Sequence, residues 1–282
     1  MNNTCSKYDK NISKGKCNSL TSCGKGGKKA AFTLAEVLIT IGIIGVVSAL
    51  TIPNLITSYQ KKRAASGLLE AHSILTQAVK MYTQDSDEEG LIYFDTSLSP
   101  EQFAQKYFVP YLKVARICTQ MSDGCWKTQD FYGYYDLAGN KIENMTPYSV
   151  VLNNGMIVGF AKTPEYNLFT LVVDIDGQGT NNVMGKDVFA FYPFNRDIEN
   201  TAGATGYEAL NSSPIKNGLY PGEYSHAVPH VYYSRADLLA ADKVLRPCNK
   251  QGQYQSNRVG VGAACAAVIF KDGWKISKDY PW

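Results

Sequence analysis

Three groups of side chains combine residue types and spacings that could do chemistry. The run Asp174-Ile-Asp-Gly-Gln-Gly-Thr-Asn-Asn-Val-Met-Gly-Lys-Asp187 sets side-chain oxygens at alternate positions with glycine at a sharp turn, the pattern a hard cation such as calcium requires. Asp174, Asp176 and Asp187 are the carboxylates that would ligate it, with Asn182 and a backbone carbonyl assisting. The run departs from an EF-hand at its twelfth position, Gly185, where a bidentate Glu would stand, so that only Asp187 is left to close the shell. Without an ion the same residues form a hydrogen-bonded Asx turn across a long hairpin.

The second group is four cysteines, Cys118, Cys125, Cys248 and Cys265. Their number is even, they contain no C-x-x-C, and the chain has only 3 His to complete a zinc site, so two disulfides are expected rather than a metal centre. Of the three connectivities, the local one (Cys118 with Cys125, Cys248 with Cys265) closes the shortest loops; the competing state is four buried thiols. Disulfides imply an oxidising compartment.

The third is a single carboxylate. Between Lys29 and Lys61 the only charged side chain is Glu36, inside an otherwise apolar run from Phe32 to Ile52. A carboxylate in a membrane-spanning segment costs about 2.5 kcal/mol or more unless paired. It therefore needs a cation, and cutting the chain between Ala31 and Phe32 would supply one: the new α-amino group would lie about one helical turn away, on the same or a neighbouring copy.

Other candidates carry less. His226 and His230 are four apart, but Pro229 opposes the helix that would bring both to one metal. Gly260-Val-Gly262-Ala-Ala-Cys265 falls short of a dinucleotide fingerprint. His72 lies on the long first helix and is expected to face solvent or a subunit. Neither G-x-S-x-G, H-E-x-x-H nor a P-loop occurs, and no enzyme is expected.

The element that positions Glu36 is one helix. About 21 residues at a rise of 1.5 Å per residue give roughly 31 Å, the depth of a bilayer's hydrocarbon core. Lys25, Lys28 and Lys29 before it put the N-terminus in the cytoplasm and the body on the far side. The first 31 residues hold seven lysines against Asp9, whereas the rest has 21 basic and 24 acidic residues. The positive charge is thus confined to a terminal segment, which argues against a nucleic-acid protein.

Lys28-Lys29-Ala30-Ala31-Phe32-Thr33-Leu34-Ala35-Glu36-Val37-Leu38 resembles the cleavage and methylation motif of type IV pilins and type II secretion pseudopilins. The resemblance implies a bacterial prepilin: a leader over 1–31, cut by a prepilin peptidase, with methylation of the new amine on Phe32. Glu36 becomes the fifth mature residue and Pro53 the twenty-second, where helices of this family commonly kink. Ala31 stands where the family usually has Gly, and the leader is longer than most. The implied fold is α+β and type IV pilin-like, with an assembly helix over 32–84 whose outer half packs on the antiparallel sheet of an extracytoplasmic domain, 85–282. The implied partners are homologous pilin subunits, the peptidase, an inner-membrane assembly platform and membrane lipid, with no nucleic acid required. No cofactor is required by this reading, and calcium between sheet strands is familiar in major pseudopilins. A minor pilin or adhesin, binding through the Tyr-rich stretch Asn195 to Tyr233, and an unprocessed signal-anchored surface protein are the alternatives.

In the body, Ala64, Leu68, Ala71, Leu75, Ala78 and Tyr82 continue the first helix as an apolar stripe to about Gln84. A second helix starts with Ser99 as cap and Pro100 behind it, and runs to about Cys118 with a break near Pro110. Tyr148 to Leu152 and Met156 to Phe160 flank Asn153-Asn154-Gly155 as a hairpin, and strands follow at Phe169 to Ile175 and Val188 to Tyr192. Residues 195 to 232 show no period. Short helices are expected over Ser234 to Leu245 and Val259 to Phe270.

Overall fold

The computed structural model describes residues 33–86, 94–128, 131–143, 146, 148–163, 168–177, 179, 182–194, 218–222, 233–244, 246–252 and 260–282. The chain divides into two units, Met1–Ile52 and Pro53–Trp282. Helix α1, Leu34–Asp85, carries Pro53 inside it without a break in assignment. The helix continues through Pro53, whose ring leaves the Ala49 carbonyl without its usual amide donor, and Thr57 Oγ1 donates to the Pro53 carbonyl at 3.0 Å.

In the second unit, α1 buries Ala64, Ala65, Leu68, Ala71, Leu75, Ala78, Val79 and Tyr82. This is the stripe that spacings of three and four residues dictate, widened by Ala65 and Val79. Its small side chains permit close approach: a Cβ on Gly67 would stand 3.0 Å from Ile175 Cδ1.

Helix α2 spans Pro100–Tyr107, with Ser99 and Gln102 closing a capping box and Pro100 in the first turn. It is shorter than expected. After a 3-10 turn at Val109–Tyr111 the chain becomes a strand, β1 (Val114–Cys118), where the sequence pattern read as helix. Pro110 removes a helical amide, and β-branched Val114 and Ile117 suit a strand once Tyr148–Leu152 offers its edge.

A small antiparallel pair, β2 (Gly133–Tyr135) and β3 (Lys141–Glu143), precedes the main strands β4 (Tyr148–Leu152), β5 (Ile157–Thr163), β6 (Leu168–Asp174), β7 (Val188–Phe194) and β8 (Gly218–Pro221). The main sheet runs β1-β4-β5-β6-β7-β8, with every neighbouring pair antiparallel. Its edges are β1, which bulges between Val114 and Arg116, and β8, which ends in Pro221 opposite Phe191. β8 lies inside the stretch expected to be irregular throughout.

The sheet is covered on both faces. Val158, Phe160, Leu171, Val173, Phe189 and Phe191 point into a core shared with the α1 stripe, α2 and α4 (Cys265–Lys271). Ile157, Val172, Val188, Ala190 and Tyr192 point the other way, against Trp126, Tyr134, Ile142, Met184 and Ala263. The strict period of two thus produces continuous apolar strands rather than an alternating pattern. Helix α3 (Arg235–Leu239) is capped by Ser234, and both it and α4 are shorter than expected. Arg235 holds the C-terminal segment by bonding Asp272 and Asp279 together.

Candidate functional site

Of the assembly residues, Ala31 and Phe32 lie outside the described residues, and Glu36 lies at the head of α1. Glu36 Oε2 accepts the Thr33 backbone N–H at 2.8 Å and the Thr33 hydroxyl at 2.9 Å. Glu36 N–H donates to Thr33 Oγ1 at 3.2 Å, so that Thr33 and Glu36 close a capping box. This role was not drawn from the sequence, although T-x-x-E before an apolar run is its signature. The box engages Oε2, and no described residue bonds Oε1.

From Leu34 to Ile52 every residue is exposed except half-buried Ser48. None of the most apolar eighteen-residue stretch is buried, and the helix is long and apolar enough to cross a membrane, a property that membrane anchors and signal segments share. A Cβ on Gly42 or Gly45 would meet nothing within 4 Å. Among the described residues, nothing requires glycine at either position.

The acidic run joins β6 to β7, with Asp174 in register with Val188 and Ile175 N–H bonded to the Asp187 carbonyl. Asp174 is fully buried. One of its oxygens accepts the N–H groups of Asp176 (3.1 Å) and Gly177 (3.0 Å), and the other accepts Asn182 Nδ2 (3.0 Å). Asp187 Oδ1 accepts the Val183 N–H. Burial, then the neighbouring Asp176 and Asp187 charges, push the Asp174 carboxyl well above the usual range. Burial lifts Asp187 to about 7. These two side chains hold the loop's own donors, as an Asx turn does.

A different set of oxygens faces inward. Asn182 is 1% exposed, and its Oδ1 has no hydrogen-bond partner among the described residues. A Cβ placed on Gly179 would lie 3.2 Å from that oxygen, 3.6 Å from Asp176 Oδ1 and 3.7 Å from the Gly177 carbonyl. The loop therefore carries a small oxygen-lined cradle formed by Asp176, Asn182 and a carbonyl. Among the described residues no three His, Cys, Asp or Glu side chains converge as a metal set. Gly177, at φ 81°, is required by close approach, since its Cβ would stand 2.6 Å from the Gly155 carbonyl oxygen.

Both disulfides are the local ones, Cys118 with Cys125 and Cys248 with Cys265. The second buttresses the acidic loop: a Cβ on Gly185 would meet Cys265 Sγ at 2.8 Å, and the Tyr280 hydroxyl donates to the Gly185 carbonyl. His226 and His230 lie outside the described residues, as does most of Asn195 to Tyr233. His72, expected to face solvent or a subunit, is half-buried: its ring lies among Trp274, Phe191 and Phe270, with centroids 5.0, 6.1 and 6.3 Å away. Burial holds its pKa below the ordinary value, against a hydrogen bond to the Leu219 backbone.

These features define an α+β protein with a long apolar N-terminal helix and a disulfide-bonded antiparallel body. The body is matched over residues 54–282 by a family of unknown function (DUF6613), and the chain belongs to that family. Comparison with curated proteins and with solved structures gives no match.

Proposed function

We propose that this protein is a structural subunit, a pilin or pseudopilin, of a type IV pilus or type II secretion filament. The observation that carries the reading is the exposed apolar segment Leu34–Ile52 headed by Glu36. Lipid covers this surface in the membrane before assembly, and neighbouring copies cover it in a filament. Gly42 and Gly45 let two such helices approach closely. The lysines before Phe32 keep the leader in the cytoplasm, and the disulfides suit a body on the far side of the inner membrane. Cleavage before Phe32 frees an amine that pairs with Glu36 of a neighbouring subunit, through the oxygen the capping box leaves over.

Intact mass and N-terminal sequencing of membrane-extracted protein test the processing step. A chain beginning at Phe32, with or without a methyl group, is expected. A chain retaining Met1 in cells with an active prepilin peptidase would make this a signal-anchored surface protein. Glu36→Gln keeps the helix cap's acceptor oxygen and removes the charge; it is expected to insert normally and to leave filaments absent. Filaments of normal length from this variant would refute the pairing.

A second reading concerns the cradle. The orphaned, buried Asn182 Oδ1 beside Asp176 fits a hard cation such as calcium, which would take Asp176, Asn182 and the Gly177 carbonyl as ligands and water or Asp187 beyond them. Calcium at millimolar concentration is expected to raise the melting temperature, and Gly179→Ala, whose methyl fills the cradle, to abolish that rise. An equal rise in both proteins would refute the site.

A further inference from the structure

Beside the β6–β7 loop, within the second unit, lies an open cavity of about 620 Å³. One wall is α1 at Arg63 and Glu70; facing it are Asn154 of the β4–β5 turn, Asp176 and Lys186 of the acidic loop, and Trp282. We propose that this cavity binds a neutral carbohydrate. The inference rests on these walls alone and holds whether or not the chain assembles into a filament.

The charges disfavour organic ligands of either sign. Arg63 stands 3.8 Å from Asp176, and the charge of Lys186 acts on Asp187 next to it. Each cation at the rim is thus answered by a carboxylate, and Glu70 adds another. An organic anion entering here would meet Asp176 and Glu70, and an organic cation too large for the oxygen cradle would meet Arg63 and Lys186. An uncharged ligand meets no such opposition.

The polar groups are of the kind a polyhydroxylated molecule satisfies. A sugar hydroxyl donates one hydrogen bond and accepts others, and so needs donors and acceptors side by side. Here Glu70 Oε1 accepts Asn154 Nδ2 at 2.9 Å, which sets an acceptor group and a donor group side by side. Gln60 and Ser66 add groups that serve as both. The remaining wall is apolar, from Met156, Ile175 and the indole of Trp282. A pyranose ring presents just such a division, hydroxyls at its rim and C–H groups on its face, and an indole gives that face a large flat contact. Trp282 is itself positioned, with Lys61 Nζ 5.9 Å from its ring centroid and Lys250 Nζ donating to its carbonyl at 2.7 Å. The volume lies within the range of about 300–1,000 Å³ typical of small-molecule sites, room for a short oligosaccharide.

The test uses the full chain, disulfides intact, in a detergent without a sugar headgroup. The probes are maltotriose, cellotriose, chitotriose and lactose, with sialyllactose and glucosamine as charged comparators, each titrated to millimolar concentration. Saturation-transfer NMR and tryptophan fluorescence give the readouts. Saturable binding of at least one neutral probe is expected, weakened about tenfold or more by Trp282→Ala through loss of the stacking face. Glu70→Gln, which keeps shape and removes the charge, is expected to weaken it as well. The proposal is overturned if no neutral probe binds, if only the charged comparators bind, or if binding survives both substitutions in variants whose melting curves are unchanged.

Discussion

Leu68 and Leu69 are adjacent and chemically identical, yet Leu68 is 0% exposed and Leu69 41% exposed. Replacing each in turn by Ala measures which face of α1 the body holds. For Leu68→Ala the lost side-chain carbons, at about 0.8 kcal/mol each, amount to about 2.4 kcal/mol of transfer free energy. The void between helix and sheet adds to this, and such sites have cost about 2.7–5.0 kcal/mol elsewhere, so about 3–4 kcal/mol is expected. Leu69→Ala removes the same atoms from a position already in part exposed to water and should cost about 1 kcal/mol or less. Urea unfolding of the disulfide-intact protein reads both, provided the slope is unchanged between variants. Equal costs, or a Leu68→Ala cost below about 1 kcal/mol, would refute the packing of this half of α1. Where copies pack through this face, Leu69→Ala is expected to reduce their association at little cost to the monomer's stability.

Removing Cys248 and Cys265 together by Ala should cost about 3 kcal/mol, from the 17-residue separation they close, and removing Cys118 and Cys125, separated by 7, about 2 kcal/mol. Denaturant midpoints check the order, and the reverse ranking would count against the loop-closure account. Acidification should destabilise the body through His72, whose folded pKa lies below its ordinary 6.5. Between those two values the unfolded chain binds the extra proton, so the stability His72 confers is complete above 6.5 and is lost as pH falls below it. Asp174 and Asp187, raised in the folded state, act in the opposite sense, so the comparison is between wild type and His72→Phe in melting temperature from about pH 7.5 to about pH 5. A difference that does not grow toward acid would refute the assignment.

Much of this fold was legible wherever a local rule acts without a distant partner. The stripe from Ala64 to Tyr82 follows from helical period alone. The Asn153-Asn154-Gly155 turn and the Ser99 cap follow from backbone chemistry within a few residues. What was not legible depends on partners far along the chain. Val114–Cys118 becomes a strand only because Ser149 to Leu152 pair with it. Gly218–Pro221 becomes one only against Phe191 to Phe194, in a stretch whose composition reads as loop. The acidic loop was legible as a cluster of oxygens, but not in its division of labour. That Asp174 serves the loop's own amides while Asn182 Oδ1 is left over depends on which atoms the fold turns inward. The cavity was the least legible, because Arg63, Glu70, Asn154, Lys186 and Trp282 belong to four separate segments.

The two margins of the main sheet bear on how this molecule can be crowded safely. An open sheet offers unpaired backbone groups at each edge, and molecules held at high local density tend to join there by strand addition. Here the bulge between Val114 and Arg116 breaks the spacing of free amides on β1, and exposed Arg116 brings like charges together if two such edges meet. On β8, Pro221 withdraws a donor, and the strand is only four residues long. Both edges are poor templates, so growth into fibrils by edge-to-edge pairing is disfavoured even where many copies stand shoulder to shoulder. Where copies of this protein associate, edge-to-edge pairing is a poor source of cohesion, and their sheets are expected to stay separate.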